Sequence, residues 1–586
     1  MFNKKIKNIT RKSLLIIFFG IIILPLIYPL LKSGFYPIHD NQQVARLFEL
    51  DLALKGGQFP IRWVKNLGFG YGYPLFNFYP PFLYYLAEVF HLFGVSFIWS
   101  IKLIFILSFV LAGLLMYLLA KDFQSKWGAF IASIFYLYLP YRAVDSYVRG
   151  ALAELLALSW LPGLLWAGGR IFYLKKVNFN NVFYLGFFIF LLMTTHNLTM
   201  LIFAPFFILW VFLFFLKANM AKRIKRLKLF ILGLLLGVGY SCFFWLPSLL
   251  EKKFTLVDQI LLKKLYDYRQ HFVYLDQLWD SPFGYGGSLP GRVFDDISGM
   301  SFEVGKVHLV VAFIVLILSL LQVIKKQKKT NSLVSLWTIG LLLASVFMSL
   351  SLSQVVWDII KPIWYIQFPW RFLGVIGLFV SLTAGFIISK GKPLFKITIF
   401  ILLTLLVVLS NKNYFKPIRL DQSLKDEDYI NEEVIRWDIS RSSFEYLPNG
   451  IKLEDKVGGL EFKSPIEKEN IAKNRFKVIE GEADINITKD APHMLVLESL
   501  SDKDILLQAN IFSFPGWKLF INEKEVGYFE NDLKLISFKV PGGKNIVRLE
   551  FTNTLVRTIA NLVTLTSFLL TVFLFLKKDF FVKFKK

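Results

Sequence analysis

The strongest constraint on the fold of this chain is a series of apolar blocks, each about as long as a membrane is thick. A helix needs about 20 apolar residues to cross a hydrocarbon core of ~30 Å. Only 19% of the 586 residues are charged, whereas soluble proteins average about 25%. Twelve blocks predict transmembrane helices near residues 14–31, 99–119, 127–140, 151–168, 182–195, 199–216, 229–247, 307–324, 333–351, 370–388, 397–410 and 554–576. The blocks at 127–140 and 397–410 are short and could be revised as a pair.

The distribution of positive charge predicts how these helices are oriented. Seven alternate segments, which include both ends of the chain, hold 28 Lys and Arg in 70 residues. The intervening segments 32–98 and 248–306 hold only five in 67 and seven in 59. Because short cytoplasmic loops are enriched in Lys and Arg, we expect both termini in the cytoplasm and 32–98, 248–306 and 411–553 outside. The net charge of +25 is then a topology signal, and no nucleic-acid partner is expected.

The segment 411–553 has the composition of a water-exposed domain. It carries 21 Lys and Arg against 25 Asp and Glu, with alternating runs such as 476–479 separated by Asn-Gly, Gly-Gly and Pro-Gly turns. This pattern indicates antiparallel strands. We therefore predict a polytopic membrane domain at 1–410, an extracytoplasmic antiparallel β-sandwich at 411–553, and a final transmembrane helix with a basic cytoplasmic tail at 554–586.

A carboxylate stands just after the first predicted span. His39-Asp40 is followed by apolar residues at helical spacing between 44 and 52, which predicts an amphipathic helix lying in the membrane interface. Asp40 occupies the position of its N-cap, a role that stabilises a helix by about 1 kcal/mol. The second interpretation is a general base that takes a proton from an acceptor hydroxyl. The two roles are compatible, because a capping carboxylate is held rigidly.

An aromatic run follows this helix. It begins at Arg62-Trp63, and between 69 and 86 nine of 18 residues are Phe or Tyr, including Tyr71 and Tyr73. Interfacial aromatic belts give such enrichment in general, but the interspersed Gly and Pro break any long helix. A shaped, aromatic-lined loop over a cavity is therefore a second interpretation, since aromatic faces suit sugar rings or a prenyl chain.

Ionisable residues near the spans form a second group of candidates, because each costs about 2.5–3.5 kcal/mol at the centre of a membrane helix. Asp145 and Arg149 have i,i+4 spacing and can simply pair, and Glu154 follows within two turns. The Arg371 guanidinium can bind a phosphate, or its long side chain can carry the charge to the membrane–water interface. All candidates map to the outer side: Asp40, Asp145, Arg149, Glu154, His196, Asn197 and Arg371.

Other chemistries lack their motifs. The sequence has no metal-ligand constellation of recognised spacing, no phosphate-binding Gly-rich loop with Lys and no nucleophile–base pair. The absence of these motifs argues against an ATP-driven pump.

His196 and Asn197 fall where a turn between two helices needs polar residues, so a purely structural role also explains them.

Several stretches resemble a bacterial membrane-protein family known as "6-pyruvoyl-tetrahydropterin synthase-related", which looks like part of the GT-C superfamily of polytopic glycosyltransferases. The resemblance covers roughly 14–390 and rests on short motifs: His39-Asp40, Gly57-Gln58-Phe59-Pro60, Arg62-Trp63, the run from Gly70 to Pro81, Tyr141-Arg142, Arg149-Gly150-Ala151, Glu154, His196-Asn197 and Phe368-Pro369-Trp370-Arg371. The C-terminal part is similar to YfhO-like membrane proteins through Phe514–Lys518 and Val540–Gly543.

The resemblance implies a membrane glycosyltransferase of the cell envelope, in the bacterial cytoplasmic (inner) membrane. Its donor sugar would be carried on polyprenyl phosphate, with membrane lipids around it and a glycan, lipid or protein as acceptor. Asp40 matches the acidic residue that serves as base or metal ligand, so a divalent cation is a candidate cofactor. His39 stands where a second acidic residue is often found. The remaining candidates are assigned to substrate binding: His39, Arg62, Trp63, Tyr71, Tyr73, Asp145, Arg149, Glu154, His196, Asn197 and Arg371.

Two other function classes remain open. One is a transporter or flippase for a lipid-linked precursor, and the other is a non-catalytic assembly protein whose β-sandwich binds envelope glycans. Transporters often show internal repeats and broken helices near the midplane. The sequence shows no clear repeat and its polar candidates lie at the outer edge, which favours the enzyme.

Overall fold

The structure is a computed structural model that describes residues 19–288, 299–325, 330–388, 392–459 and 461–577. Within these ranges its helices are α1 Phe19–Leu31, α2 Gln43–Lys55, α3 Leu75–Phe78, α4 Phe82–Leu92, α5 Phe97–Lys121, α6 Lys126–Leu137, α7 Pro140–Val144, α8 Leu152–Tyr173, α9 Phe179–Thr195, α10 Asn197–Lys217, α11 Met220–Tyr240, α12 Cys242–Glu251, α13 Val257–Ile260, α14 Lys306–Ile324, α15 Thr330–Ser349, α16 Gln354–Ile359, α17 Leu373–Ala384, α18 Pro393–Asn411, α19 Glu427–Ile430 and α20 Leu555–Leu576. Widened π turns occupy Asp145–Arg149 and Val434–Ile439.

Every predicted span coincides with an apolar helix. In the described ranges eight helices are long and apolar enough to cross a membrane: α5, α8, α10, α14, α15, α17 with its flanking turns, α18 and α20. The bent pair α11 and α12 makes a ninth if it counts as one span. Shorter apolar helices stand at the other three positions, α1, α6 and α9. The chain is thus a helical, multi-pass membrane protein, and its described residues contain eight or nine helices of spanning length where twelve were predicted.

One predicted span is not straight. The block at 229–247 was expected to be a single helix, but α11 and α12 meet at an angle of 67°. At the break, the Ser241 hydroxyl donates to the carbonyl of Gly237 at 2.9 Å. Such a back-bond favours bending of a helix, and the break between α11 and α12 lies at this residue.

Four of the seven basic segments that predict the orientation lie wholly or partly outside the described residues, and the structure contains no membrane. The parts outside are 2–13, 326–329, 389–391 and 578–586. The side of the membrane on which each terminus lies therefore stays a prediction, as do the three domain boundaries.

The chain divides into two compact units. The first unit comprises Met1–Asp40, Lys102–Leu234 and Tyr268–Leu424, and the second comprises Asn41–Ile101, Leu235–Asp267 and Lys425–Lys586. Both units are therefore assembled from three separate stretches of sequence.

Helices α8 and α17 lie at the centre of the first unit, where nearly all of their side chains are buried. Glycines at two helix contacts allow α9 and α17 to pack closely against α8. A Cβ at Gly163 would lie 2.3 Å from Phe188 of α9, and one at Gly374 of α17 would lie 2.5 Å from Leu158. Small residues at helix contacts let backbones approach closely in membrane proteins. The tight packing fixes the N-terminal ends of α8 and α17, next to which the candidate site lies.

The second unit contains the predicted antiparallel β structure, which is confirmed. Its strands are β1 Phe476–Glu480, β2 Asp484–Ala491, β3 Met494–Ser501, β4 Ile505–Phe512, β5 Trp517–Ile521, β6 Lys524–Val526, β7 Phe529–Glu530, β8 Leu535–Val540 and β9 Gly543–Phe551. They form a four-stranded sheet, β1-β4-β8-β7, and a five-stranded sheet, β2-β3-β9-β5-β6. Alternate residues of β3 and β5 are buried, as the period of two along a strand requires.

Helix α2 is present as predicted, but it is not a surface helix. Nine of its residues are buried, among them Arg46, Glu49 and Asp51. The Glu49 carboxylate accepts hydrogen bonds from Lys65 N at 2.9 Å and from Asn66. The expected position in the membrane interface is therefore wrong, because the helix is enclosed by its own unit.

A buried polar network joins distant parts of the second unit. Glu251, at the end of α12, accepts from Arg557 Nε at 2.9 Å, from Asn77 Nδ2 at 2.8 Å and from the Thr554 hydroxyl at 2.6 Å. Arg62 donates to Asn77 Oδ1 at 3.0 Å. One carboxylate thereby connects the aromatic segment, the kinked helix pair and the start of α20.

Candidate active site

A π turn places the first two charged candidates. Helix α7 ends at Val144, the turn Asp145–Arg149 follows, and Gly150 then adopts a left-handed conformation with φ of 66° before α8 begins. A Cβ at Gly150 would also lie 2.4 Å from Cδ1 of Ile38. Glycine is thus required twice, for its backbone conformation and for the close approach of the preceding loop.

That loop carries Asp40. The backbone N–H of His39 donates to Val148 O at 3.1 Å, and that of Asp40 donates to Arg149 O at 2.8 Å. Helix α2 begins at Gln43 with Gln42 as its N-cap, so the predicted capping role of Asp40 is wrong. Its position is fixed instead by the π turn, which leaves the half-buried carboxylate in electrostatic contact with Arg149 and Arg371.

Glu154 is the centre of the charged cluster. Its Oε2 accepts from both terminal nitrogens of Arg149 at 3.1 Å and lies 3.5 Å from Nε of Arg371. Its Oε1 accepts from the Tyr141 hydroxyl at 2.5 Å. Arg149 also pairs with Asp145, as the i,i+4 spacing predicts. The carboxylate therefore aligns two arginines at the N-terminal end of α8.

Aromatic rings hold the arginines in place. The Arg149 guanidinium lies 4.6 Å from the Trp370 ring centroid, and that of Arg371 lies 4.9 Å from the Phe368 centroid. Arg371 also donates to Ile366 O at 2.9 Å. Cation–π contacts and the shared carboxylate offset the repulsion between two nearby cations.

The two arginines differ in how fully they are neutralised. Arg149 contacts two carboxylates, whereas Arg371 has only the longer contact to Glu154. Arg371 is consequently the arginine with more capacity to bind an added anion.

His196 and Asn197 form the break between α9 and α10. His196 is the N-cap of α10, where its Nδ1 accepts from Thr199 N at 3.3 Å. Burial lowers the pKa of His196 to about 3, so the ring is neutral and its Nε2 carries the proton. This nitrogen is a donor available to a ligand. Asn197 occupies the first position of α10, and its predicted contact with substrate stays a prediction.

His39 is exposed and directed elsewhere. Its Nε2 lies 2.9 Å from the carbonyl oxygen of Tyr285. The part of the chain that the structure describes contains no group of three His, Cys, Asp or Glu side chains that could hold a metal ion. The residues therefore do not fit a resident divalent cation, and no reaction step is assigned to one.

The four aromatic-segment candidates belong to the second unit, where each has a packing role. The Trp63 ring lies against Phe514, Trp517 and Phe551. The Tyr71 hydroxyl accepts from Ala472 N at 3.0 Å, and that of Tyr73 donates to Ser443 O at 3.4 Å.

Arg62 is likewise satisfied inside the second unit. Besides Asn77 it donates to Phe243 O and Asn561 Oδ1, both at 3.0 Å. At least 97% of the surface of each of the four residues is buried, with exposed fractions of 3% for Arg62, 1% for Trp63, 3% for Tyr71 and 0% for Tyr73. Their assignment to substrate binding stays a prediction.

Two residues of the cluster were not among the predicted site residues. Tyr141 precedes Asp145 by one helical turn, and Trp370 precedes Arg371 directly. Both stand inside motifs that carry the family resemblance. Neither bears a charge, so the search for ionisable groups passed over them.

Comparison with known proteins adds little to this description. No family model matches the chain. An uncharacterized protein of Lactococcus lactis subsp. cremoris (strain MG1363) is 26% identical over 229 residues, which are 38% of this chain and 37% of that protein. The crystal structure of ArnT from Cupriavidus metallidurans bound to undecaprenyl phosphate is similar at a TM-score of 0.37 and 11% identity, over 68% of this chain and 64% of that one. The matched regions thus span less than two thirds of either protein.

Proposed function

We propose that this protein is a GT-C-type membrane glycosyltransferase that moves a sugar from a polyprenyl-phosphate donor to an extracytoplasmic acceptor. The observation that carries the proposal is the position of Asp40, fixed by backbone bonds beside Arg149 and Arg371. A carboxylate next to two aligned arginines supplies both requirements of the reaction, a base for the acceptor and positive charge for a phosphate leaving group. The sequence resemblance supports the same class.

In the proposed reaction Asp40 accepts the proton of the acceptor hydroxyl. The acceptor oxygen bonds to the anomeric carbon of the sugar as the bond from that carbon to the phosphate oxygen breaks. Polyprenyl phosphate leaves with the bonding electron pair, and Arg371 stabilises the negative charge that develops on it. Arg149 is a positioning residue, since Glu154 and Asp145 already hold it.

The remaining residues orient substrates in this scheme. Glu154 sets the distance between the arginines, and the Nε2 proton of His196 donates to a hydroxyl or phosphate oxygen. The scheme also includes the orientation expected from the charge pattern. Both termini are placed in the cytoplasm and the β domain outside, where it binds or admits the acceptor.

The proposal is tested with purified protein in nanodiscs, a radiolabelled polyprenyl-phosphate hexose and delipidated envelope material as acceptor. We expect label to appear in acceptor, and Asp40→Asn to reduce the rate at least about a thousandfold because it removes the base. Asp421→Asn is the matched control, since it removes an exposed carboxylate of the same unit and should leave the rate within about twofold. Wild-type rates in a folded Asp40→Asn protein would refute the role of Asp40.

A lipid-linked precursor transporter is the rival function. Proteoliposomes with the labelled donor in one leaflet separate the two, because a transporter changes the leaflet of the lipid without making a glycosidic bond. Movement of intact donor without product would overturn the transferase proposal.

A further inference from the structure

A cleft in the β domain lies where the two sheets come together. Strands β5 and β6 form one edge of the five-stranded sheet, and β7 and β8 form one edge of the four-stranded sheet. The chain crosses between them at Gly527 and Tyr528. The resulting cleft has a volume of about 670 Å³, within the range of about 300–1,000 Å³ typical of small-molecule sites.

The walls of the cleft combine an apolar surface with positive charge. Phe529 is 49% exposed although it belongs to a strand, and the buried Phe538 also lines the cleft. Lys524 and Lys539 line the same cleft and are both exposed. An exposed ring flanked by ammonium groups suits a ligand that has flat apolar faces as well as negative charge.

The two cleft lysines differ from three other lysines of these sheets, which form ion pairs. Lys518 pairs with Glu525 at 3.0 Å, Lys534 with Glu530 at 3.1 Å and Lys544 with Glu498 at 3.7 Å. Among the described residues, Lys524 and Lys539 have no carboxylate within ion-pair distance. Within the described ranges Lys477 of β1 and Lys489 of β2 are exposed and unpaired as well, so the cleft is distinguished by having two such lysines together with an exposed aromatic ring.

Gly527 keeps the cleft open. A Cβ at this position would meet no heavy atom within 4 Å, and the backbone is not in the left-handed region. A larger side chain can therefore be introduced there without strain, and it would occupy the space between the two sheet edges.

We propose that this cleft binds an anionic glycan, that is, an oligosaccharide bearing phosphate, sulfate or carboxylate groups. A sugar face packs on Phe529 and the anionic substituents contact Lys524 and Lys539. A neutral glycan would leave both ammonium groups without a partner, and a free inorganic anion would leave the aromatic wall unused. The inference concerns binding alone and does not depend on the transferase activity.

The test measures binding of a sulfated dextran oligomer to the full-length protein in uncharged detergent at about 0.15 M salt, by calorimetry. We expect saturable binding, and at least about tenfold weaker binding of the unsulfated oligomer of equal length. Replacing both Lys524 and Lys539 with Gln should weaken binding of the sulfated oligomer at least tenfold. Replacing Lys518 and Lys544 with Gln removes the same charge from the same domain and should change it less than about twofold.

A second variant tests occupancy of the cleft without changing charge. Gly527→Leu should weaken binding of the sulfated oligomer at least tenfold while the domain stays folded. Equal weakening by the two lysine pairs, or unchanged binding in Gly527→Leu, would overturn the proposal. So would full competition by millimolar sulfate, which indicates a free-anion site, or lysine-dependent binding to phosphatidylglycerol vesicles in place of the oligomer. Because no donor lipid is present, failure here leaves the transferase proposal intact.

Discussion

The charged cluster illustrates how one buried carboxylate gives two arginines different roles. Arg149 is bound by Glu154, Asp145 and Tyr141, whereas Arg371 keeps a single contact to Glu154 at 3.5 Å and a hydrogen bond to a carbonyl. A side chain whose charge is already compensated stabilises the fold. One whose charge is only partly compensated can respond to a substrate.

This difference predicts that the two arginines respond differently to the same substitution. Arg149→Gln leaves Glu154 and Asp145 buried without their main partner, which we expect to cost about 3–5 kcal/mol of stability. Arg371→Gln should cost less than about 2 kcal/mol but lower the transfer rate at least a hundredfold, because charge on the leaving group is no longer stabilised. Thermal unfolding and donor turnover measure the two effects. A more destabilising Arg371→Gln would contradict the assignment.

At the scale of single residues, the sequence indicated which charged residues belong to the cluster but not which contacts hold them. It selected Asp145, Arg149, Glu154 and Arg371, because ionisable groups beside apolar blocks are conspicuous. It gave Asp40 a helix cap, since the chain two residues later reads as a helix start. The π turn that holds Asp40 depends on hydrogen bonds to residues about 110 positions away, which no local pattern contains.

At the scale of elements, Gly150 connects two segments of the site. Its left-handed backbone ends the π turn, and its missing side chain lets Ile38 approach. The loop with Asp40 and the turn with Arg149 therefore keep their register only while this position remains glycine.

Gly150→Ala should accordingly displace Asp40 and lower transfer at least tenfold. The backbone cost is about 1–2 kcal/mol, and the contact with Ile38 adds to it. Combining the change with Ile38→Ala relieves the contact but not the backbone cost, so activity should recover in part. Gly57→Ala is the matched control, because Gly57 also has a positive φ but has no heavy atom near its Cβ position. Equal activity loss in both alanine variants would argue against the steric coupling.

The positions of helices and strands were well predicted, whereas the break within one predicted helix was not. Apolar blocks located a helix at each of the twelve positions, and strand alternation located the β structure. The kink at Ser241 escaped prediction because the apolar block continues through this residue, and serine is common inside apolar helices. The burial of α2 was not predicted either, because Arg46, Glu49 and Asp51 are residue types that usually form a solvent-exposed helix face.

On the scale of the whole molecule, each unit is built from three stretches that are far apart in sequence. In the second unit these stretches are connected by a buried ion pair and by hydrogen bonds. Glu251 neutralises Arg557 and, through Asn77, is linked to Arg62. These contacts cross as many as 306 positions of the chain, so no local pattern in the sequence indicates them.

Glu251→Gln should therefore destabilise the second unit by about 3–5 kcal/mol, because Arg557 would remain buried without a counter-charge. Glu525→Gln removes the partner of Lys518 in an exposed pair and should cost at most about 1 kcal/mol. Differential scanning fluorimetry of both variants in detergent measures the contrast. Similar melting temperatures for the two variants would show that the network does not contribute to stability.

The second unit is assembled from three separate stretches of the chain, so its folding depends on the order in which the ribosome makes them. The ribosome makes Asn77 and Glu251 long before Arg557 in α20. Until α20 has been made, Glu251 lacks the ion pair that it forms in the folded unit, so the buried network can be completed only after that point.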